Sequence, residues 1–87
     1  MPYLEQGIRE SLDQGRKATK PGELHYLIST LCNDYLATRG ISYTSLNEVH
    51  GVLACAQLEI FRVITGPYEE LKRANNGEIW TILNLKA

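Results

Sequence analysis

The side chains that could do chemistry are few, and they do not form a known catalytic set. The histidines His25 and His50 and the cysteines Cys32 and Cys55 lie apart, with no CxxC pair and no carboxylate at metal-ligand spacing. A Cys–His nucleophile pair would need them to meet in space, whereas a cysteine in an apolar helical stretch is usually a buried structural residue. There is no glycine-rich phosphate loop. The sequence therefore predicts no enzyme, no metal site and no cofactor.

Arg62 is the side chain best suited to hold a phosphate group, and Glu59 lies one helical turn before it. A guanidinium can donate two parallel hydrogen bonds to a phosphate, and a neighbouring carboxylate can orient it. Arg9 and Lys20 are weaker candidates for the same role. The alternative is that Glu59 and Arg62 form a solvated surface pair that contributes little.

Tyrosine makes up five of the seven aromatic residues. A tyrosine ring can stack on a nucleobase while its hydroxyl group finds a polar partner. Tyr26 or Tyr43 would serve this role, and Asn47 with Glu59 could hydrogen-bond a base or a ribose. The alternative is that the tyrosines pack at the edge of the core.

Composition narrows the classes of partner. Nine basic and ten acidic residues give a net charge of −1, so nothing favours binding to long nucleic acids, which depends on phosphate neutralisation. The same charge balance still allows one or two arginines to bind a small anion. No apolar run approaches the roughly 20 residues that cross a bilayer, and no targeting segment is apparent. We expect one domain over residues 1–87 in the cytoplasm, with reduced cysteines and no membrane contact.

The element that must position these side chains is the segment 44–65. Its apolar residues recur at alternating steps of three and four, which places them along one side of an α-helix. This apolar stripe consists of Leu46, Val49, Leu53, Ala56, Ile60 and Val63. Ser45 followed by Glu48 has the pattern of a capping box, and Gly66-Pro67 favours a helix end. The pattern predicts a helix over 45–65.

Three further helices are predicted, over residues 3–17, 21–39 and 67–75. The connection from 41 to 44 is short enough to make the second and third helices an antiparallel hairpin. Alternating β-favouring residues predict an extended tail over 78–85, which could pair with its counterpart in another subunit or lie extended along the helices. The expected fold is all-α: an antiparallel helical hairpin, a short N-terminal helix and an extended C-terminal tail, assembled as a homo-oligomer.

Several short strings occur together and in order along most of the chain. They are MPY at the start, PGELHYLI at 21–28, SYTSLNEVHGVL at 42–53, LEIFR at 58–62, GPYE at 66–69 and NNGEI at 75–79. Together they resemble a family of small proteins of unknown function that recurs in bacteriophage genomes and related bacteria. This chain departs from that pattern at Val63, where members often carry arginine, and at His25, where they often carry asparagine.

The resemblance implies a biological context. Small phage proteins without a catalytic set often counter host defence, and some are oligomeric helical proteins that sequester nucleotide immune messengers. The corresponding hypothesis is a non-enzymatic protein, in the cytoplasm of the infected bacterial host cell, that binds a cyclic oligonucleotide or a cyclic ADP-ribose derivative between subunits. The alternative is a small protein–protein interaction module, an inhibitor or adaptor, with no small-molecule ligand.

Overall fold

The computed structural model describes residues 4–82, and the ordered elements among them are helical. These are α1 (Gln6–Asp13), α2 (Pro21–Arg39) and a long helix (Tyr43–Asn76). The long helix consists of α3 (Tyr43–Ile60), a π-helical segment (Phe61–Thr65) and α4 (Gly66–Asn76). No strand occurs within residues 4–82, and the predicted all-α class is confirmed.

Backbone contacts divide the chain into two compact units, Met1–Val49 and His50–Ala87. The first unit holds α1, α2 and the first two turns of α3, and the second holds the rest of the long helix and the tail. The expectation of a single domain over 1–87 stays a prediction. The antiparallel hairpin of the helices predicted over 21–39 and 45–65 also stays a prediction.

In the first unit, α1 packs on α2 through the side predicted for it. Leu12 is the buried apolar residue of the described chain, only 3% exposed, and Leu4 and Ile8 on the same side are half-buried. Leu4 reaches α2, where a Cβ added at Gly22 would lie 3.7 Å from its side chain. The four-residue spacing of these leucine and isoleucine side chains therefore brings α1 onto α2.

Helix α1 is shorter than the predicted 3–17. Gly15 has φ of +104°, a conformation that favours glycine, and it ends the helix. The Gly15 amide donates to the carbonyl of Leu12, and the Arg16 amide donates to that of Ser11. This pair of bonds is a Schellman motif, so the prediction was wrong because it passed over the C-terminal glycine.

The connection from α1 to α2 is held by a buried carboxylate. Glu23, in the first turn of α2, is 4% exposed and accepts from the Thr19 amide at 2.9 Å and from the Arg16 guanidinium at 3.2 and 3.3 Å. Arg16 also donates from Nε to Ser11 on α1. The pKa of Glu23 is lowered by the Thr19 amide and by Arg16. One carboxylate therefore fixes how the chain leaves α1 and enters α2.

Helix α2 has the predicted bounds, but α3 begins two residues before the predicted start. Ser42 is its N-cap: Ser42 Oγ accepts from the Ser45 amide, and Ser45 Oγ accepts from the Ser42 amide, both at 3.0 Å. Ser45, 1% exposed, also donates to the carbonyl of Gly40 at 2.7 Å. The capping box is thus formed by the two serines. The predicted Ser45–Glu48 box was wrong, because Glu48 is engaged elsewhere.

The predicted helix end at Gly66-Pro67 was also wrong. The helix continues because Phe61–Thr65 widens into a π-helical turn, in which the Gly66 amide donates to the carbonyl of Phe61, five residues earlier. Pro67 lies in the first turn of α4, where its missing amide is tolerated. The predicted 45–65 and 67–75 helices are therefore one helix that ends at Asn76.

The apolar stripe is largely exposed instead of forming a core. Leu46 and Leu53 are 36% and 39% exposed, and Ile60 and Val63 are 55% and 53% exposed. The long helix stops at Gly77, where φ is +94°, and residues 78–81 of the predicted tail form neither helix nor strand. Residues 83–85 of that prediction lie outside the described residues.

By length and composition alone, the long helix could cross a membrane. The sequence did not predict this because its charged residues interrupt every apolar run. The expectation of no membrane contact stays a prediction.

Candidate functional site

A groove of about 510 Å³ lies in the first unit, between α1 and α2. It is lined by Leu4, Arg9, His25, Tyr26, Ser29, Thr30 and Asn33. Two residues predicted from the sequence as ligand contacts, Arg9 and Tyr26, therefore lie at one site. The volume falls in the range of ordinary small-molecule sites, about 300–1,000 Å³.

Tyr26 is held in place at the groove by its hydroxyl group. The hydroxyl donates to the Asp13 carboxylate at 2.9 Å, across from α2 to the end of α1. This bond, together with burial, raises the pKa of Tyr26 above 10.0, while the nearby positive charge of Arg9 acts in the opposite direction. The ring is half-buried and its orientation is fixed, so it can offer a face for stacking without an added ordering cost.

The rest of the groove is polar and comes from one side of α2. His25, Ser29 and Asn33 follow at steps of four, and they were not predicted as site residues. Thr30 uses its hydroxyl proton within the helix, donating to the carbonyl of Leu27. A run of polar residues four apart, beginning next to Tyr26, is the sequence pattern that indicates such a polar helix side.

The residues of this groove offer three kinds of contact to a ligand. Arg9 supplies a fixed positive charge, Tyr26 an aromatic face, and the amide and hydroxyl groups of α2 supply hydrogen bonds. No cluster of three or more His, Cys, Asp or Glu that could hold a metal ion occurs within residues 4–82.

Arg62 and Glu59 lie in the second unit and bind each other. Their side chains form an ion pair at 3.1 Å and are 73% and 70% exposed. This is the geometry of the alternative considered from the sequence, a solvated pair one helical turn apart. Arg62 is at the surface of the π-helical segment, with its guanidinium already shared with Glu59.

The other predicted contacts lie singly at the surface of the first unit. Tyr43 is 86% exposed at the start of α3, and Asn47 follows one turn later, also exposed. Lys20 is the exposed N-cap residue of α2. None of the three lines the groove between α1 and α2. The structure therefore groups Arg9 with Tyr26 and leaves these three outside that group.

A polar cluster joins α2 to the first turns of α3. The Tyr35 hydroxyl donates to Glu48 at 2.7 Å, and the Arg39 guanidinium donates to the same carboxylate at 3.0 Å. Both bonds lower the pKa of Glu48, that of Tyr35 first, and the carboxylate in turn raises the pKa of Tyr35. Each member is internally satisfied, so the cluster serves to orient α3 on α2 within the first unit.

A second groove, of about 600 Å³, lies in the other unit between α4 and residues 77–82. Its one arginine, Arg73, is bonded to both Glu70 and Glu78, which raises the pKa of Arg73 and lowers that of Glu78. Lys72 also lines this groove, but the three carboxylates of Glu69, Glu70 and Glu78 outnumber the two cations, so it is a poorer site for an anion than the groove at Arg9.

A family model described as a domain of unknown function, DUF6899, matches residues 1–79. No curated protein and no solved structure matches the chain. Because the model covers most of the sequence, the chain belongs to the DUF6899 family.

Proposed function

We propose that this DUF6899 protein binds a nucleotide-type anion in the groove between α1 and α2 and does not alter it chemically. The observation that carries the proposal is that Arg9 and Tyr26, chosen from the sequence for phosphate and base contacts, line one groove. The groove has the volume for such a ligand and is closer to a preformed site than the exposed Arg62–Glu59 pair.

The groove residues divide the recognition between them. Arg9 would pair with a phosphate, for which guanidinium geometry is well suited. The ring of Tyr26 would stack on the base, and Asn33 with Ser29 would hydrogen-bond the base or the ribose. Arg62 has no role in this proposed site, because its guanidinium already donates a hydrogen bond to Glu59.

The biological role that goes with this site is sequestration. The support for this role is the resemblance of the sequence strings to phage-associated proteins, and the proposed protein removes a nucleotide immune messenger, of the cyclic oligonucleotide or cyclic ADP-ribose type, in the cytoplasm of the infected cell. Such a role needs tight binding and no turnover, which agrees with a groove built for recognition.

Isothermal titration calorimetry with ADP-ribose and cyclic di-AMP tests the proposal. Arg9→Ala should weaken binding by roughly 10- to 100-fold, since hydrogen bonds to a charged group contribute about 1.5–3 kcal/mol. Arg62→Ala is the matched control, because it removes the same charge from the other unit, and it should leave the affinity unchanged. After incubation the ligand should be recovered intact.

Two results would contradict this function. One is the absence of heat for every nucleotide tested, with circular dichroism showing a folded helical sample. The other is loss of affinity in Arg62→Ala with Arg9→Ala unaffected, which would move the site to the long helix.

A second candidate function, a protein–protein interaction module, is favoured by one specific observation. Ten large apolar residues between Leu46 and Leu71 on the long helix are at least 36% exposed. Exposed apolar surface of this extent commonly marks a binding surface for protein. Co-purification of one stoichiometric host or phage protein, with no nucleotide bound, would favour this candidate over the first.

A further inference from the structure

The apolar stripe of the long helix has the spacing of a helix-pairing surface. Its six residues alternate at steps of three and four over 18 residues, as at the inward positions of a coiled coil. Five of the six side chains are exposed and Val49 is half-buried, so the described residues, 4–82, leave most of this surface uncovered. Val52 and Ile64, 68% and 62% exposed, lie beside it and widen the apolar surface.

Charge is excluded from the stripe. At about 100° per residue along α3, the charged side chains Glu48 and Glu59 lie outside it, and Arg62 in the π-helical segment is paired with Glu59. Glu48 pairs with Arg39. Two identical stripes could therefore meet without bringing like charges together, whereas nothing in the stripe selects a charged partner.

The described chain also lacks the core that a small protein needs. Leu12 in the first unit is the buried apolar residue within residues 4–82, and no residue from 50 to 82 is buried. Chains of this size are marginal even with a good core, and association with another chain is a common remedy.

We infer that the apolar stripe is the surface through which two copies of this chain associate, with the long helices side by side. The stripe covers 18 residues, Leu46 to Val63, which is about 27 Å at 1.5 Å per residue. Half of the side surface of a helix about 10 Å wide over that length is about 420 Å² for each copy, which is the size of a small interface between weakly associated partners. The inference is independent of nucleotide binding, because it uses no residue of the groove.

Two leucines on the same helix give a matched test. Leu53 is in the stripe and 39% exposed, and Leu58 is on the opposite side and 69% exposed. Light scattering coupled to size exclusion, on the full chain over a wide concentration range, should give twice the chain mass for wild type and for Leu58→Glu. Leu53→Glu should give the mass of one chain. If the copies associated non-specifically through exposed apolar side chains, Leu58→Glu would disrupt the dimer more than Leu53→Glu, since Leu58 is the more exposed.

A milder variant covers the case in which Leu53→Glu does not fold. Leu53→Ala keeps the helix and should raise the dimer dissociation constant at least tenfold, because the truncation occurs in both copies. Sedimentation velocity measures that constant. A monomeric wild type, or equal weakening by Leu53→Ala and Leu58→Ala, would overturn the inference; the first result would mean that the stripe is covered within one chain or by another protein.

Discussion

At the scale of single residues, the first unit depends on a buried carboxylate. Glu23 accepts hydrogen bonds from Thr19 and Arg16, and its pKa lies below the ordinary value of 4.5. Because the folded pKa is the lower one, the unfolded chain takes up a proton first as the pH falls. The stabilisation is therefore fully present above pH 4.5 and is lost as the pH falls through the folded pKa.

We expect Glu23→Gln to lower the melting temperature at neutral pH and to flatten its decline in acid. Glutamine retains the shape but not the charge that Arg16 and the Thr19 amide stabilise. Melting curves by circular dichroism between neutral and acidic pH measure both effects. Glu5→Gln is the control, because the Glu5 side chain makes no cap bond to α1. Parallel acid profiles for wild type and Glu23→Gln would show that Glu23 has no such role.

Residue identities pointed to two residues that line the groove but missed the contacts of Glu48 for a definite reason. Arg9 and Tyr26 were predicted because their side chains suit a nucleotide, whichever helix carries them. The spacing of Ser45 and Glu48 predicts a capping box, which places the helix start at Ser45 and not at Ser42. The actual partners of Glu48, Tyr35 and Arg39, are distant in sequence, so spacing alone could not identify them.

At the scale of the element, the π-helical segment decides the length of the long helix. A Cβ at Gly66 would lie 3.1 Å from the carbonyl oxygen of Phe61, the atom to which the Gly66 amide donates. At Gly51, on the same helix, an added Cβ would meet nothing within 4 Å. The same substitution should therefore have opposite effects at these two glycines.

Gly51→Ala should raise the free energy of unfolding by about 0.5–1 kcal/mol, the usual gain from replacing a helical glycine. Gly66→Ala should lower it, since the obstacle is a backbone oxygen within the π-helical turn. Urea denaturation of the two variants beside wild type measures the difference. A gain at Gly66 equal to that at Gly51 would mean that the segment relaxes to a regular α-helix.

Helices with ordinary ends could be predicted from sequence, and irregular ones could not. Helix α2 matches its predicted bounds because Pro21 and Gly40 supply standard start and stop signals. The same kind of signal, Gly66-Pro67, failed in the long helix. A bond to the residue five positions earlier removes the conflict with proline, and neither periodicity nor propensity reveals such a bond.

At the scale of the whole molecule, the long helix raises the question of which environment its apolar side chains occupy. Its length would allow it to cross a bilayer, but Glu59 and Arg62 lie at its midpoint. Charged side chains at the centre of a membrane helix cost about 2.5–3.5 kcal/mol each. An apolar protein surface that contacts the stripe avoids this cost, because Glu59 and Arg62 pair with each other and stay largely exposed.

In a flotation gradient with phosphatidylcholine vesicles, we therefore expect the protein to remain in the aqueous fractions and not to rise with the vesicles. The double variant Glu59→Leu with Arg62→Leu removes the central charges and should float to a greater extent. Gel analysis of the gradient fractions measures both. Flotation of the wild-type protein would contradict this expectation and would assign the long helix to the membrane.

Composition and periodicity predicted the all-α class and the places of most helices, but not which apolar side would be covered. The spacing of the stripe is typical of a helix side that is buried against another element. The same spacing is equally suited to contact with another chain, and one sequence does not distinguish the two. The groove depends on how α1 lies on α2, which is set by Leu12 and Glu23 together.

The most direct test of nucleotide binding in the groove is an NMR titration of the ¹⁵N-labelled protein with ADP-ribose and then with cyclic di-AMP. We expect amide shift changes at Arg9, Tyr26, Ser29 and Asn33, on the two walls of the groove, and no change at the amides around Arg62. Shift changes centred on Arg62 and Glu59, or none with either nucleotide, would contradict nucleotide binding in the groove.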